Sequence, residues 1–322
     1  MTYRKRIPTS DYFLLETVQE DRLTHQYPIS TIVQQTLGQS VDCAGRGLHT
    51  GCDVQLTLHP APPNTGIKFR RSDLQGFEIP ATIDQVARVS YATTLMRLGV
   101  MVATVEHLLS ALAGCQIDNC IVELDSLEVP ILDGSAAEFV ALIAAAGIVA
   151  QPASRIYLRV LEPVEVHDGN RSIMIGPAKE FLIDSTIEFS HPLIGRQNCF
   201  YQASLGNYAV EIAPARTFGF ESEIDALRRA GLIRGGSLDN AVVLTDKGLL
   251  NPTPLRFQDE FARHKVLDIL GDLALVGWPI IGRVRAERSG HALHAQLVAQ
   301  LLRQTTAWEL VEQPQALSAA AL

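Results

Sequence analysis

The stretch Phe261-Ala-Arg-His-Lys-Val-Leu-Asp-Ile-Leu-Gly-Asp272 constrains this chain more than any other. His264, Asp268 and Asp272 lie four residues apart, so on an α-helix they form one row, each turned about 40° from the last. Apolar residues occupy a different face, which predicts a helix pinned to a core. They are Ala262, Val266, Ile269, Leu270 and Leu273.

A buried row of one imidazole and two carboxylates is unfavourable unless a partner satisfies it. A divalent metal is such a partner, because nitrogen and oxygen ligands one helical turn apart can converge on one ion. The alternative is a solvated polar face with salt-bridged carboxylates. This stretch alone leaves both interpretations open.

A second stretch, Ala103-Thr-Val-Glu-His-Leu-Leu-Ser-Ala-Leu-Ala-Gly114, favours the metal. Thr104 has the residue type of an N-cap and Gly114 that of a left-handed stop, which predicts a short helix between them. Glu106 and His107 then fall in its first turn. A catalytic zinc commonly has three protein ligands and an open position. His107 completes such a set with His264 and Asp268, and Glu106 is placed to act as general base.

Composition excludes several classes of protein. The chain has 322 residues, is 47% hydrophobic and carries a net charge of −8. These values favour two domains with substantial cores and argue against a nucleic-acid partner. No apolar run reaches the about 18 residues of a membrane span, and the N-terminus has no signal-peptide pattern. The five cysteines lack CxxC spacing and fit reduced thiols. We therefore expect a cytoplasmic protein without a transmembrane segment.

The order of predicted elements divides the chain into an N-terminal extension (1–30), domain I (31–152), domain II (155–308) and a C-terminal tail (309–322), with a linker over 151–155. Each domain runs through strands, a helix, a strand, a glycine-containing turn and a second helix, which indicates a duplication. The prediction is an α+β fold of two similar domains, each a small sheet with two helices, with the helices packed between the two sheets. A cleft between the repeats would hold a site that draws ligands from both.

Seven segments, spread over roughly residues 31–308, carry a resemblance to one protein family. They are Gly45-Arg-Gly-Leu-His-Thr-Gly51, Thr104-Val-Glu-His107, Asp133-Gly-Ser-Ala136, Arg216-Thr-Phe-Gly-Phe220, Gly235-Gly-Ser237, Phe261-Ala-Arg-His-Lys265 with Asp268 and Gly271-Asp272, and Ser289-Gly-His-Ala-Leu293. In this order they resemble the zinc-dependent UDP-3-O-acyl-N-acetylglucosamine deacetylases of lipid A biosynthesis. The resemblance implies two α+β domains facing across a cleft, each with an insert. The second insert, near 216–237, would form an apolar passage for an acyl chain.

Position by position, the resemblance implies roles for individual residues. The zinc ligands are His107, His264 and Asp268, with Fe²⁺ as an alternative ion. The catalytic residues are the base Glu106, the second catalytic histidine His291, its associated carboxylate Asp272, and the hydroxyl of Thr217 near the substrate carbonyl. The substrate-binding residues are Lys265 near the diphosphate, Phe189 on the uracil ring and Phe218 beside the reaction centre. Arg288 is a second candidate cation.

Among the other histidines, His49 is a lesser candidate for the site, although we favour a structural role for it. We interpret His25, His59, His167 and His191 as surface or loop residues. Two features depart from the family pattern: the N-terminal extension, and His294, which stands two residues past the shared Ser-Gly-His-Ala core. We expect neither to touch the chemistry.

The sequence thus predicts a monomeric, metal-dependent amidohydrolase acting on a UDP-linked acylated amino sugar. It would remove the N-acetyl group of UDP-3-O-acyl-N-acetylglucosamine and release acetate, the committed step of lipid A biosynthesis. Two alternatives stay open: an amidase on another acylated amino sugar, and a non-catalytic zinc-binding scaffold. Glu106 and His291 argue against the scaffold, because a structural zinc site is closed by a fourth ligand.

Overall fold

The computed structural model describes residues 32–203 and 207–312. The predicted extension and residues 313–322 of the predicted tail lie outside the described residues. The first half contains β1 (Val33–Leu37), β2 (Val41–Arg46), β3 (Asp53–Pro60), β4 (Ile67–Arg71), β5 (Phe77–Pro80), β6 (Val86–Arg88), β7 (Thr94–Arg97), β8 (Val100–Val102), α1 (Glu106–Gly114), β9 (Cys120–Leu124), α2 (Ala137–Ala146) and β10 (Ile148–Ser154).

The second half repeats the same kinds of element and adds a longer pair of helices. It contains β11 (Tyr157–Val160), β12 (Val164–Asp168), β13 (Arg171–Gly176), β14 (Phe181–Glu188), β15 (Arg196–Gln202), α3 (Tyr208–Glu211), β16 (Phe218–Phe220), α4 (Glu221–Arg229), β17 (Val242–Thr245), β18 (Gly248–Leu249), α5 (Glu260–Leu273), β19 (Ile280–Glu287), α6 (His291–Arg303) and β20 (Trp308–Val311).

The two main sheets share one topology. In the first sheet the strand order is β2-β3-β9-β4-β5, and β9 runs antiparallel to β3 and parallel to β4. In the second, β19 takes the place of β9, since it lies antiparallel to β13 and parallel to β14, with β12 and β15 at the outer positions. Strands β11 and β20 extend the second sheet. The predicted α+β fold of two similar halves is confirmed, while the boundaries between domains stay a prediction.

Burial patterns explain why these segments form strands. Strand β3 alternates buried and outward residues, with Val54, Leu56 and Leu58 facing the core. Alternation of this kind fits a sheet with one face on the core. Strand β9 lies at the centre of its sheet and is buried at nearly every position. Each half also carries a separate three-stranded sheet, β6-β7-β8 in the first and β16-β17-β18 in the second.

The helices pack against one another between the sheets. Helix α1 packs on α5, α5 packs on α6 and β14, and α6 packs on β12 and β13. The crossing of α1 and α5 is very close, because a Cβ added at Gly271 would collide with the backbone carbonyl of Glu106. Glycine at this position therefore lets the first turn of α1 lie directly against the polar row of α5.

The predicted caps of α1 are wrong at both ends. Thr104 does not cap the helix; it has φ +57°, and its hydroxyl donates to the buried Glu128 carboxylate at 2.8 Å. Gly114 is not the left-handed stop, since the positive φ falls at Gln116. A Cβ on Gly114 would instead overlap the ring of Tyr208, so close packing rather than backbone conformation requires glycine there.

The predicted linker over 151–155 is also wrong. Its residues through Ser154 belong to β10, which pairs with β1, and Arg155 is only 3% exposed and forms an ion pair with Asp118 at 2.6 Å. The polar composition misled the prediction, because Gln151 is buried and bonds Asn119 and the carbonyl of Ala61. The start of the predicted tail, 309–311, is part of strand β20.

Two predictions about the whole chain can be compared with the structure. None of the helices in the described part combines the length and hydropathy needed to cross a bilayer. All five cysteines, which lie in described segments, are free thiols.

Candidate metal centre

A cavity of about 200 Å³ opens where α1, α5 and α6 meet the second three-stranded sheet. A larger recess of about 350 Å³ lies beside the end of α1, but its described lining contains no histidine or carboxylate. The smaller cavity is therefore the candidate functional site. Its lining residues are Leu48, His49, Tyr91, Thr104, Glu106, His107, Ile131, Thr217, Phe218, His264, Lys265, Asp268 and His291.

The structure brings His107, His264 and Asp268 together at the base of this cavity. One ligand-type atom from each lies within 4.8 Å of the others. Asp268 Oδ1 is 3.4 Å from His264 Nε2 and 3.8 Å from His107 Nε2. All three residues are buried, with 5% exposure or less.

The polar atoms of this group face one another but form no hydrogen bonds with one another. His264 Nδ1 donates to the carbonyl of Ala215 at 3.1 Å, which leaves the Nε2 lone pair directed at the group. Asp268 Oδ2 accepts from Lys265 Nζ at 2.8 Å, but Oδ1 is buried and has no hydrogen-bond partner among the described residues. A buried carboxylate oxygen facing two imidazoles fits a divalent cation as the missing partner.

The electrostatics favour the protonation states that a cation requires. Burial, with the nearby His264, lowers the pKa of His107 to about 3. Burial also lowers the pKa of His264. Burial alone would raise the pKa of Asp268, but the charges of His264 and Lys265 outweigh it and hold that pKa well below its usual range. The site therefore offers neutral imidazoles and an ionised carboxylate, the forms that bind metal.

Glu106 lies beside this group on the first turn of α1 and is 2% exposed. Its Oε2 accepts from the backbone N–H of Thr93 at 3.1 Å, and its Oε1 is 3.8 Å from His291 Nε2. Burial raises the pKa of Glu106 to about 7; the charge of His291 opposes this rise, and nearby aspartates add to it. A carboxylate with such a pKa can accept a proton near neutral pH.

His291 begins α6 and also lines the cavity. Its Nδ1 donates to Asp272 Oδ2 at 2.7 Å. Burial alone would lower the pKa of His291, but the charge and hydrogen bond of Asp272, with the charge of Glu106, raise it to about 10. Burial would raise the pKa of Asp272, yet its interactions with His291 lower it to about 2. The pair therefore exists as an imidazolium and a carboxylate at neutral pH.

His294 also joins this pair, so the prediction that it lies away from the chemistry is wrong. The side chain is fully buried, its Nδ1 donates to Asp272 Oδ2 at 2.7 Å, and its Nε2 lies 2.9 Å from Ser289 Oγ. The reason is helical spacing, because residues three apart on α6 face the same neighbour. That spacing between His291 and His294 was visible in the sequence.

The predicted substrate-binding residues divide into two groups. Phe218 and Lys265 line the cavity, although the Lys265 ammonium is engaged with Asp268. Phe189 is not among the lining residues, and its ring packs edge-on against Phe218 at 5.7 Å. Arg288 also lies outside the lining and pairs with Glu188 at 2.9 Å.

The structure also places Thr217, which was predicted to be catalytic, and the remaining histidines. Thr217 lines the cavity. So does His49, whose ring nitrogens have no partner among the described residues. His167 is exposed, while His59 and His191 are half-buried and outside the lining. His25 lies outside the described residues.

Sequence reasoning missed Thr93 and Glu128. The Thr93 hydroxyl donates to Asp272 Oδ1 at 2.6 Å. The Glu128 carboxylate is 0% exposed and accepts from the backbone N–H groups of His49 and Thr50 as well as from Thr104. Both contacts join segments distant in sequence, so no local pattern marked them.

Comparisons with known proteins identify the family of this chain. The sequence profile of the UDP-3-O-acyl N-acetylglycosamine deacetylase family matches residues 34–303. A UDP-3-O-acyl-N-acetylglucosamine deacetylase of Solibacter usitatus (strain Ellin6076) is 49% identical over 278 residues, which cover 86% of this chain and 94% of that protein. Proteins of the same name from Anaeromyxobacter sp. (strain Fw109-5) and Myxococcus xanthus (strain DK1622) are 49% and 48% identical, covering 84% and 88% of this chain and 88% and 90% of their own lengths. The chain belongs to the UDP-3-O-acyl N-acetylglycosamine deacetylase family.

Proposed function

We propose that this protein hydrolyses the N-acetyl amide of UDP-3-O-acyl-N-acetylglucosamine and releases acetate in lipid A biosynthesis, using one divalent ion held by His107, His264 and Asp268. The observation that carries the proposal is the unpartnered Asp268 Oδ1 facing two imidazoles, with Glu106 and His291 beside it in one cavity. Family membership supplies the substrate class, since the relatives are named for this deacetylation.

When bound, a divalent ion acidifies its water and polarises the acyl carbonyl. Glu106 supplies the base: its Oε1 faces the cavity, and its raised pKa of about 7 lets it take a proton near neutral pH. Its Oε2 is held by the Thr93 N–H, so the carboxylate has a fixed orientation.

His291 supplies a positive charge to the cavity, with its Nε2 3.8 Å from Glu106 Oε1. With Nδ1 held by Asp272, its Nε2–H is free to stabilise a developing oxyanion or to protonate the leaving amine. Either Glu106 or His291 can deliver the proton to the amine, and the distances favour neither. Thr217 lines the same cavity and is the second candidate donor to the oxyanion.

The substrate's nucleotide and acyl ends are assigned by the resemblance and by surface character. Lys265 and Arg288 are the proposed cations for the diphosphate, and Phe189 and Phe218 are the proposed aromatic contacts. The acyl chain is assigned to the segment 216–237. Helix α4 in this segment has no buried residue, and its apolar Ile224 and Leu227 are only half-buried, which leaves apolar surface for an acyl chain.

The ion is proposed to be Zn²⁺, with Fe²⁺ as the alternative. A site of two imidazoles and one carboxylate with an open position suits a catalytic zinc, and the general affinity order places Zn²⁺ above Fe²⁺. A monomeric state and a cytoplasmic location stay predictions.

Acetate release by the purified protein tests the proposal. We expect metal-dependent acetate release from UDP-3-O-acyl-N-acetylglucosamine, and much slower release from an acylated amino sugar that lacks UDP. Faster turnover of the sugar without UDP would indicate the alternative amidase. Metal bound without any acetate release would indicate the scaffold.

A further inference from the structure

His294 has no role in the proposed mechanism, yet it contacts the carboxylate that holds His291. We propose that His294 is a positioning residue that fixes Asp272 and, through Asp272, sets the orientation of the His291 ring for deacetylation. The inference rests on the proposed function, which it refines.

Both histidines lie at the start of α6. His291 and His294 are the first and fourth residues of this helix, so both project toward α5. Their rings lie 6.0 Å apart at 78°, and both Nδ1 atoms approach the same oxygen, Asp272 Oδ2, at 2.7 Å. Because a carboxylate oxygen only accepts, each imidazole donates its Nδ1–H.

The carboxylate is held on both oxygens. Asp272 Oδ1 accepts from the Thr93 hydroxyl at 2.6 Å, while Oδ2 accepts from the two histidines. Asp272 is 1% exposed and His294 0% exposed, so water does not compete for these bonds. On its far side His294 Nε2 meets Ser289 Oγ at 2.9 Å, which fixes the ring in turn.

His294 and His291 act on Oδ2 from different sides. His291 approaches from the cavity, and its side chain is 12% exposed, whereas His294 approaches from the core. Without His294, only the partially exposed His291 would hold Oδ2, and the carboxylate could turn about its Cβ–Cγ bond. The His291 ring would then lose the support that keeps Nε2 directed at the cavity, 3.8 Å from Glu106 Oε1.

Two other interpretations of the same residues are available. Asp272, His291 and His294 also satisfy the spacing of a metal site. However, every Nδ1 and Oδ atom of this group is already paired, in contrast to the group around Asp268. The other interpretation is that His294 only fills the core.

The first experiment replaces His294 in the metal-loaded enzyme. His294→Leu removes the donor and keeps an apolar side chain, and we expect kcat to fall about 10- to 100-fold, the range for a lost outer partner of a catalytic group. KM should change by less than about twofold, because His294 does not touch substrate.

His294→Asn keeps an N–H near the position of Nδ1 and should recover kcat to within about fivefold of the wild type. His167→Asn, on an exposed strand position, is the matched control and should leave kcat unchanged.

The second experiment separates positioning from packing. In a His291→Gln background, adding His294→Leu should change kcat by less than about twofold, because the group that His294 orients is already absent. An equal loss in both backgrounds would show that His294 acts only through folding and would overturn the proposal. So would an Asn variant as impaired as the Leu variant.

A third measurement does not depend on catalysis. In ¹⁵N-histidine-labelled protein, the His291 Nδ1–H signal should be sharp in the wild type and in His294→Asn, and broadened or shifted in His294→Leu. If the wild type releases no acetate, the proposed function fails while this measurement still tests the contact. An unchanged His291 signal in His294→Leu would overturn the positioning role, as would a second metal equivalent bound by the wild type. If His294→Leu does not fold, Ser289→Ala, which frees His294 Nε2, takes its place with the same expected directions.

Discussion

Two buried groups of histidine and aspartate lie one turn apart on α5, and they differ in how their polar atoms are satisfied. Around Asp268, two imidazole nitrogens face a carboxylate oxygen that has no partner among the described residues. Around Asp272, two imidazoles and the Thr93 hydroxyl fill both carboxylate oxygens. Composition alone cannot separate the groups, since each has two histidines and one aspartate.

This contrast shows that the hydrogen-bond partners of each polar atom distinguish the two groups where residue type does not. A buried polar atom without a partner is unfavourable, so a cation would stabilise the first group. The second group is complete as it stands, and its net effect is to keep His291 protonated, with a pKa raised to about 10. One group is therefore suited to holding a metal, and the other to holding a proton.

The largest expected effect comes from removing a ligand of the first group. His264→Ala should lose bound metal at equilibrium and lower kcat/KM by about 10⁴-fold, because the ion supplies several kcal/mol of transition-state stabilisation and each 1.4 kcal/mol is about tenfold. Metal analysis of the purified variant, with the exposed His167→Ala as control, provides the measurement. Full metal occupancy in His264→Ala would contradict the assignment of the metal to the group around Asp268.

Replacing Glu106 should separate chemistry from metal binding. Glu106→Ala should keep its metal and its affinity for substrate and lose about 10²- to 10⁴-fold in kcat, the range for a general base. Glu138, an exposed acid in the first turn of α2, provides the matched control Glu138→Ala. A loss confined to KM would make Glu106 a binding residue.

The group around Asp272 should affect how the rate depends on pH. Glu106 must be ionised to accept a proton, so the rate should rise with pH through about 7. His291 must be protonated to donate, so the rate should fall as pH rises through about 10. These apparent values belong to the coupled set. His291→Gln should lower kcat by about 10²-fold and flatten the alkaline limb. A variant with an unchanged profile would remove His291 from the chemistry.

The smallest expected effect concerns the acyl end of the substrate. Ile224→Trp on α4 should lower kcat/KM for long-chain substrate by about 10- to 50-fold, since each methylene displaced from apolar surface forfeits up to about 0.8 kcal/mol. Short-chain substrate should be affected far less. Ala226→Trp, on the exposed side of the same helix, is the matched control. Equal losses for both chain lengths would show that the acyl chain binds elsewhere.

The polar row of α5 could be predicted because four-residue spacing on a helix is a local property of the sequence. The repeated order of elements is also a local property of the sequence, and it predicted two similar halves. It did not predict that β9 and β19 would pair with their neighbouring strands in the same pattern. The linker over 151–155 failed because residue type did not show that Gln151 and Arg155 have buried partners.

His294 and Thr93 illustrate what sequence reasoning lacks. Each is placed by the packing of one element on another, and Asp272 meets Thr93 across 179 positions of the chain. Only the folded structure shows that His294, outside the family's shared motif, bonds the same carboxylate as His291, inside that motif.

The position of the bound ion is the decisive test of the proposed metal site. A crystal structure of the purified protein, with diffraction measured at the absorption edge of the metal found in it, should show one strong anomalous peak per chain. We expect that peak about 2.0–2.2 Å from His107, His264 and Asp268, as for zinc with nitrogen and oxygen ligands. A peak bounded by Asp272, His291 and His294, or metal-free protein that still releases acetate from the UDP sugar, would contradict the account.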